Sequence, residues 1–222
     1  MSPSFAKIRK AAEKRLGADA LAARLPSVKS PAQLKKEGDD RYLSLMALRI
    51  FRAGLKHEMV DVKWPAFEEA FQGFEPRRVR AMSDEEVERL MQDRRLIRHL
   101  GKLKAVHANA AAMCAIIDEH GSFGTWLAPW PGSDITGLWD ELANRFTQLG
   151  GNSGAYFLRM AGKDTFILTP FVVKALNHWS AFQGEPKGKG DRAAVQRVFN
   201  GWAEESGLAL AHLSVTLATS LD

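Results

Sequence analysis

The spacing of apolar residues along the chain predicts two prominent helices. From Asp39, apolar side chains recur at intervals of three and four residues, which is the period of one buried helix face. These residues are Leu43, Met46, Ala47, Ile50, Phe51 and Gly54. The same spacing predicts a longer helix over residues 102–119, with Gly121 as its stop. Its apolar residues are Leu103, Val106, Ala110, Met113, Cys114 and Ile117.

Start and stop signals predict the remaining helices. Ser83 and Glu86 have the spacing of a capping box, which predicts a short helix after Ser83. Asp134 or Ser133 can cap a helix that ends at the pair Gly150-Gly151. Further helices are predicted from that pair to Gly162, around residues 172–176, and over residues 191–205 and 208–219, with residues 183–190 as a solvated linker.

No segment alternates between apolar and polar residues for long enough to predict a strand, so the fold should be all-α, a bundle of about ten helices. Residues 1–38 contain a basic amphipathic helix and a connection punctuated by Pro26 and Pro31. We expect them to form a basic helical extension that precedes a main domain over residues 39–222.

Composition limits the classes of protein. The chain has 222 residues, a formal charge of +5 and 45% hydrophobic residues, which predicts one ordinary domain that folds alone. It lacks an apolar stretch long enough for a membrane span or a secretory leader, so we expect a cytoplasmic protein that does not bind membranes. The single cysteine, Cys114, excludes an intramolecular disulfide and a zinc site with two thiolates. We expect no metal and no cofactor.

The turn between the predicted helices on either side of residue 150 is a candidate DNA contact. Its sequence contains Gly150, Gly151, Asn152, Ser153 and Gly154. Glycine permits a tight turn, and the N–H groups of about residues 152–154 would then point outward at the positive end of a helix dipole. These residues would bind a phosphate as a helix-hairpin-helix. The alternative is an ordinary corner between two helices.

A basic turn at residues 94–104 is the second candidate. It places several cations around a glycine that opens the long helix, and such cations can neutralise DNA phosphates. The candidate phosphate contacts are Arg98, Lys102 and Lys104. The alternative is a solvated charged face.

Five segments together resemble one known family. Residues 74–93, residues 97–102, Ala53-Gly54-Leu55 and Lys63-Trp64-Pro65 are similar to the DNA-3-methyladenine glycosylase I family, as is Asn109-Ala110. The resemblance covers about residues 39–120 and returns at residues 136–178.

The resemblance implies a helix-hairpin-helix DNA glycosylase. Such an enzyme flips an alkylated purine, for example 3-methyladenine, out of duplex DNA and hydrolyses its N-glycosidic bond without a metal or a lysine Schiff base. It would act in base-excision repair as a monomer and associate with the nucleoid when bound to DNA. The flipped base would enter an aromatic pocket beside Arg49, Phe51 and Trp64.

The chain departs from the family at the pocket. Arg49 occupies the position of the family's glutamate, and His57 replaces a tryptophan. Glu58, next to His57, is the nearest carboxylate able to replace the missing acid, so Glu58 and His57 are the candidate catalytic residues. The family's zinc-binding residues have no counterparts. Residues 166–174 contain no carboxylate where related glycosylases have an aspartate, although Asp164 is near, and Ser153 stands where some have a lysine nucleophile.

Each pocket candidate has a structural alternative. Arg49 could extend from a buried helix to solvent, and His57 and Glu58 could be exposed loop residues. Trp64 and Tyr156 could belong to the core. Two alternative functions therefore stay open: a DNA-binding protein that has lost its catalytic activity, and a glycosylase for an uncharged or anionic lesion, since Arg49 would repel a cationic purine.

Overall fold

The computed structural model describes residues 3–221 and is all-α over that range, as predicted. The described residues form fourteen α-helices and three single-turn 3-10 helices, and no strand. The α-helices are α1 Phe5–Leu16, α2 Ala18–Arg24, α3 Pro31–Lys36, α4 Asp39–Arg52, α5 His57–Ala70, α6 Pro76–Arg80, α7 Asp84–Arg89, α8 Leu100–His120, α9 Phe123–Leu127, α10 Ile135–Arg145, α11 Ser153–Ala161, α12 Pro170–His178, α13 Lys189–Ser206 and α14 Leu210–Thr219. The number exceeds ten because several helices are too short to produce a periodic pattern. None of the helices in the described part of the chain is long and apolar enough to cross a membrane.

The helices form two compact units. The first contains the described residues up to Lys29, Trp130–Trp139 and the described residues from Gly162 onward. The second contains Ser30–Pro129 and Asp140–Ala161, so α10 begins in the first unit and ends in the second.

The first unit has an aromatic core. Helix α1 packs against α13 and α14, and Phe5 contacts Trp202 with ring centroids 5.5 Å apart. Phe166 stacks on Phe199 at 4.2 Å, and Trp139 meets Phe166 edge-on. Residues 1 and 2 of the predicted N-terminal extension lie outside the described residues.

Helix α3 lies where the sequence predicted only a connection. Ser30 accepts from the N–H of Gln33, and the Gln33 side chain accepts in return from the N–H of Ser30. Pro31 is at the first helical position, where its missing N–H costs nothing. The helix packs against α9 in the second unit, and the Tyr42 hydroxyl donates to the carbonyl of Leu34 at 2.7 Å.

Helix α4 lies at the centre of the second unit. It packs against α5, α8 and α11, because its apolar stripe is buried on one side. The long helix α8 begins and ends within two residues of its predicted bounds, and Gly121 terminates it with a φ of 84°. The capping box at Ser83 and Glu86 is also present.

Helix α5 was not predicted. The sequence suggested a loop at His57 and Glu58, whereas both residues lie in the first turn of this helix. Val60 and Phe67 anchor the helix in the core, and Pro65 lies inside it. Proline usually signals a helix end, but the tertiary packing of these two residues outweighs that local preference here.

Candidate functional site

A concave site lies at the carboxyl end of α4, within the second unit. Its volume is about 570 Å³. Gly54 adopts a φ of 78°, which allows the chain to turn sharply from α4 into α5 and leaves the concavity beside the turn. The lining residues are Arg49, Arg52, Ala53, Gly54, Leu55, Lys56, His57 and Tyr156. We call this the Arg49 cavity.

Arg49 covers one face of Tyr156 in this cavity. The guanidinium carbon lies 4.3 Å from the ring centroid, which is a cation–π contact. Arg49 Nε is buried and makes no hydrogen bond within residues 3–221. Burial lowers the pKa of Arg49, the phenol of Tyr156 opposes that shift, and the neighbouring charge of Arg52 adds to it. An arginine nevertheless remains charged at neutral pH. Arg49 is therefore a half-buried cation without a counter-ion among the described residues.

The other basic residues of the cavity differ in their partners. Arg52 forms a bidentate ion pair with Asp61, in which Nε and Nη2 donate to the two carboxylate oxygens at 2.9 and 2.7 Å. Lys56 and His57 are exposed. No carboxylate is among the described residues that line the cavity, so its lining residues carry no negative charge.

Lys102 stabilises the end of α4. Its side chain is only 8% exposed, and Nζ donates to the carbonyls of Phe51 and Ala53 at 3.3 and 2.7 Å. These carbonyls belong to the last turn of α4, where a cation is favourable. Burial lowers the pKa of Lys102, and the charge of Arg49 lowers it further. The ammonium points into the protein, so this arrangement gives no support to the predicted phosphate contact.

The predicted pocket residues Phe51 and Trp64 lie in an aromatic cluster and do not line the cavity. Phe51 is fully buried and contacts Phe67, with centroids 4.5 Å apart. Trp64 stacks on Phe67 and Phe74 at 5.0 and 5.5 Å, and its Nε1 donates to the hydroxyl of Ser44. Core packing, the structural alternative, therefore describes Phe51, whereas Trp64 packs in the same cluster but remains partly exposed.

The two candidate catalytic residues occupy different positions. His57 lines the cavity, whereas Glu58 does not and is exposed. Its exposure gives the predicted catalytic role of Glu58 no geometric support.

The hairpin has free backbone donors, but not at the residues expected. The N–H groups of Ser153 and Gly154 donate to the carbonyls of Gly150 and Leu149, both at 3.1 Å. The expectation of free donors there is wrong, because the turn itself uses them. The N–H groups of Gly150 and Gly151 make no hydrogen bond within the described residues, and both glycines are exposed. Gly151 has a φ of 57°, which favours glycine.

Asn109 and Gln148 hold the hairpin against α8. Asn109 is fully buried and exchanges two hydrogen bonds with the backbone of Thr147, at 2.7 and 3.1 Å. The Gln148 side chain donates to the carbonyl of Gly101, in the basic turn, at 3.0 Å. Gln148 adopts a φ of 63°, a strained value for a residue with a side chain. The hairpin and the basic turn are thus joined directly.

The cations of the basic turn are not equivalent. Arg98 is exposed and has no side-chain partner within the described residues, so it is available for a phosphate. Lys104 pairs with Glu88 at 2.7 Å, and Arg95 pairs with Asp93 and Glu69. Lys63 donates to the carbonyls of Arg94 and Arg95, which holds the turn against α5.

The segment after the hairpin, in the first unit, caps helices. Thr169 accepts from the N–H of Val172 at the start of α12. Asp164 accepts from the N–H groups of Leu210 and Ala211, at 3.0 and 2.8 Å, and so caps α14. Its carboxylate is already engaged in these structural bonds.

Comparison with known families assigns the chain. Residues 33–147 match the family described as methyladenine glycosylase. The chain belongs to the methyladenine glycosylase family. DNA-3-methyladenine glycosylase 1 of Escherichia coli strain K12 is 40% identical over 77 residues, which make up 34% of this chain and 41% of that relative. The aligned part therefore spans less than half the length of the relative.

Solved structures with a similar fold include two glycosylases. One is 3-methyladenine DNA glycosylase I from Staphylococcus aureus, at 23% identity and a TM-score of 0.52, covering 68% of this chain and 91% of that one. The other is the 8-oxoguanine DNA glycosylase of Methanocaldococcus jannaschii, at 13% identity and a TM-score of 0.59, covering 95% and 91%. At these identities the likeness shows the fold alone, and the predicted helix-hairpin-helix glycosylase fold is confirmed.

The methyladenine glycosylase match includes Arg49 and the basic turn but ends before the glycine pair of the hairpin. Sequence reasoning considered Tyr156 a core residue, named Asn109 only as part of the family resemblance, and assigned no role to Gln148. The glycine-rich turn was the available signal for all three, because the residues that brace such a turn flank it or face it.

Proposed function

We propose that this chain is a DNA glycosylase that hydrolyses the N-glycosidic bond of a modified purine in duplex DNA, an alkylated purine such as 3-methyladenine in the first instance. Family membership supports the class of reaction. The chemistry is balanced by water: the C1′–N bond breaks with its electron pair going to the base, and a water oxygen bonds to C1′. One water proton stays on the new sugar hydroxyl, and the other passes to the departing base, or to solvent when the bound purine was cationic.

One observation carries the proposal. The helix that follows the hairpin, α11, also supplies Tyr156 to the wall of the Arg49 cavity. Tyr156 lies three residues after Ser153, so it is about 5 Å further along the helix axis. A phosphate at the N–H groups of Gly150 and Gly151 would therefore fix the strand close to a cavity that can hold an extruded base.

The hairpin and the basic turn would act on the DNA backbone. Backbone N–H groups and an exposed arginine bind phosphates of any sequence, which suits an enzyme that must inspect all of the duplex. In this proposal Gly150, Gly151 and Arg98 make the contacts, and Gln148 and Asn109 keep the two segments in register.

A second function is favoured by a different observation. The described residues that line the Arg49 cavity include no carboxylate, and Asp164 serves as a helix cap. A protein with this site could bind DNA without cleaving a glycosidic bond.

Chromatography of released bases distinguishes the two functions. Methylated duplex DNA and duplexes that each contain one modified purine are incubated with excess protein, and the free bases are separated. The glycosylase proposal predicts release of at least one modified purine. Binding to duplex DNA without release of any base would instead support the non-catalytic protein.

A further inference from the structure

The Arg49 cavity has an unusual charge for a site that would receive 3-methyladenine. That base is cationic in DNA, whereas the described residues that line the cavity include the cations Arg49 and Lys56 and no carboxylate. Lys102 adds a second buried cation close to Arg49. A cationic purine placed there would be repelled by Arg49, which cannot move away without breaking its contact with Tyr156.

Arg49 also has unused donors. Its Nε is buried without a partner, and neither terminal nitrogen makes a hydrogen bond within residues 3–221. Unlike Nε, the terminal nitrogens are not among the buried atoms, so a ligand can approach them. Tyr156 lies beneath the guanidinium at 4.3 Å and restrains its plane. The result is a rigid fork of donors at the wall of the cavity.

An arginine fork complements a specific edge of a purine. Two parallel N–H donors match O6 and N7 of a guanine-type base, a pairing that is common in the reading of DNA. An uncharged purine with acceptors at both positions would supply the missing partners without a charge penalty.

We infer that the Arg49 cavity selects an uncharged purine that carries acceptors at C6 and N7, in preference to a cationic 3-alkylpurine. This inference rests on the proposed glycosylase function and narrows its substrate class. Hypoxanthine and O6-methylguanine have the required edge, and the second of these is an alkylated purine.

The same fork would assist the chemistry. An uncharged purine leaves less readily than a cationic one, because negative charge develops on the base as the C1′–N9 bond breaks. Donors fixed on O6 and N7 stabilise that charge in the transition state. Water then forms the new bond to C1′, one of its protons ends on the departing base, and no further reactant is needed. Arg49 contacts the reacting base, whereas Tyr156 is a positioning residue.

The test compares base release from three substrates under single-turnover conditions. The substrates are a duplex with hypoxanthine, a duplex with O6-methylguanine and methylated DNA that contains 3-methyladenine. We expect the unaltered protein to release at least one of the two uncharged bases about tenfold or more faster than 3-methyladenine.

Substitutions at Arg49 test the cause of the preference. Arg49→Lys keeps the charge but loses the fork, so it should slow release of the uncharged base about tenfold without improving release of 3-methyladenine. Arg49→Glu should shift the ratio of the two rates towards 3-methyladenine. Arg78→Glu, at an exposed position on α6, makes the same change in net charge outside the cavity and should leave the ratio unchanged. Circular dichroism confirms that each variant is folded.

The outcomes separate this inference from the function on which it rests. Faster release of 3-methyladenine by the unaltered protein would overturn the inference and leave the glycosylase proposal intact. A folded Arg49→Glu variant with an unchanged ratio would also overturn it. The two substitutions could instead lower the affinity for undamaged DNA and have no other effect. That result would mean that Arg49 contacts a DNA phosphate, and it would also overturn the inference. Release of no base from any substrate would contradict the proposed function itself.

Discussion

The guanidinium carbon of Arg49 lies 4.3 Å from the centre of the Tyr156 ring, which joins the end of α4 to the helix that follows the hairpin. This contact connects two features that the sequence presents separately: a basic residue at the position of an expected glutamate, and a glycine-rich turn about a hundred residues later. It makes Arg49 a fixed part of the cavity wall.

Replacement of the Tyr156 ring should weaken the second unit. Tyr156→Leu removes the cation–π contact and leaves Arg49 half-buried without it, so we expect the free energy of unfolding to fall by about 1–2 kcal/mol. Tyr156→Phe keeps the ring and should change it by less than about 0.5 kcal/mol. Urea unfolding of the three proteins measures both values. Equal losses in the two variants would mean that the hydroxyl, and not the ring face, is responsible.

Lys102 should matter for stability more than for DNA binding. Lys102→Met leaves the buried carbonyls of Phe51 and Ala53 without their donor, which should cost about 1–3 kcal/mol of unfolding free energy. Its affinity for undamaged duplex DNA should stay within about twofold of the original. A variant with unchanged stability and weakened DNA binding would instead support the phosphate contact that the sequence suggested for Lys102.

The pH dependence of stability provides a second measurement on Lys102. Burial lowers its pKa in the folded protein below the ordinary value of 10.5, so between these two values the unfolded chain binds more protons than the folded one. The contribution of Lys102 to the free energy of unfolding should therefore increase as the pH rises from its folded-state pKa to 10.5. The difference in unfolding free energy between the unaltered protein and Lys102→Met should show this slope, and a slope of the opposite sign would contradict the assigned direction.

The hairpin prediction concerns Gly151. A valine there is strained at a φ of 57° and places bulk beside the free N–H groups, so Gly151→Val should lower DNA affinity about tenfold or more. Gly207 ends α13 in the first unit with a φ of 69° and also has open space around it, so Gly207→Val carries a similar backbone strain outside the hairpin sequence. Fluorescence anisotropy with a labelled duplex measures both. Equal affinities in the two folded variants would argue against a DNA hairpin.

Arg98 should contribute one phosphate contact. Arg98→Gln should weaken binding to all sequences alike and reduce the slope of log affinity against log salt by about one unit. Lys104→Gln should have a smaller effect, because the ammonium is already paired with Glu88. A loss limited to particular sequences would show that Arg98 reads bases instead.

Glu58→Gln tests the sequence-based catalytic assignment. The side chain is exposed and outside the cavity lining, so we expect the single-turnover rate of base release to stay within about twofold. Loss of a positioned acid or base would lower the rate about a hundredfold. A loss of that size would show that Glu58 takes part in the reaction. Helix α5 would then have to move when DNA binds.

The sequence predicted the long helices well because their apolar residues repeat over several turns. Helix α8 and the Ser83 capping box follow directly from such local signals. Helix α5 did not, because its apolar residues are anchored by tertiary contacts and Pro65 suggests a break.

The site was predictable only in part. Gly150 and Gly151 reveal the turn, but which N–H groups the turn uses depends on its three-dimensional path. The partner of Arg49 is Tyr156, and no local pattern links residues so far apart in sequence. Likewise, the spacing of Lys102 cannot show that its ammonium points inward to carbonyls of α4.

The most direct test of the central claim is the identity of the purine that the unaltered protein releases from modified duplex DNA under single-turnover conditions. The account predicts a free modified purine in the chromatogram only when the protein is present. The rate of its release should fall in the Arg49→Lys variant. Stable binding to the same duplexes, with every modified base still attached to its deoxyribose after prolonged incubation, would contradict it.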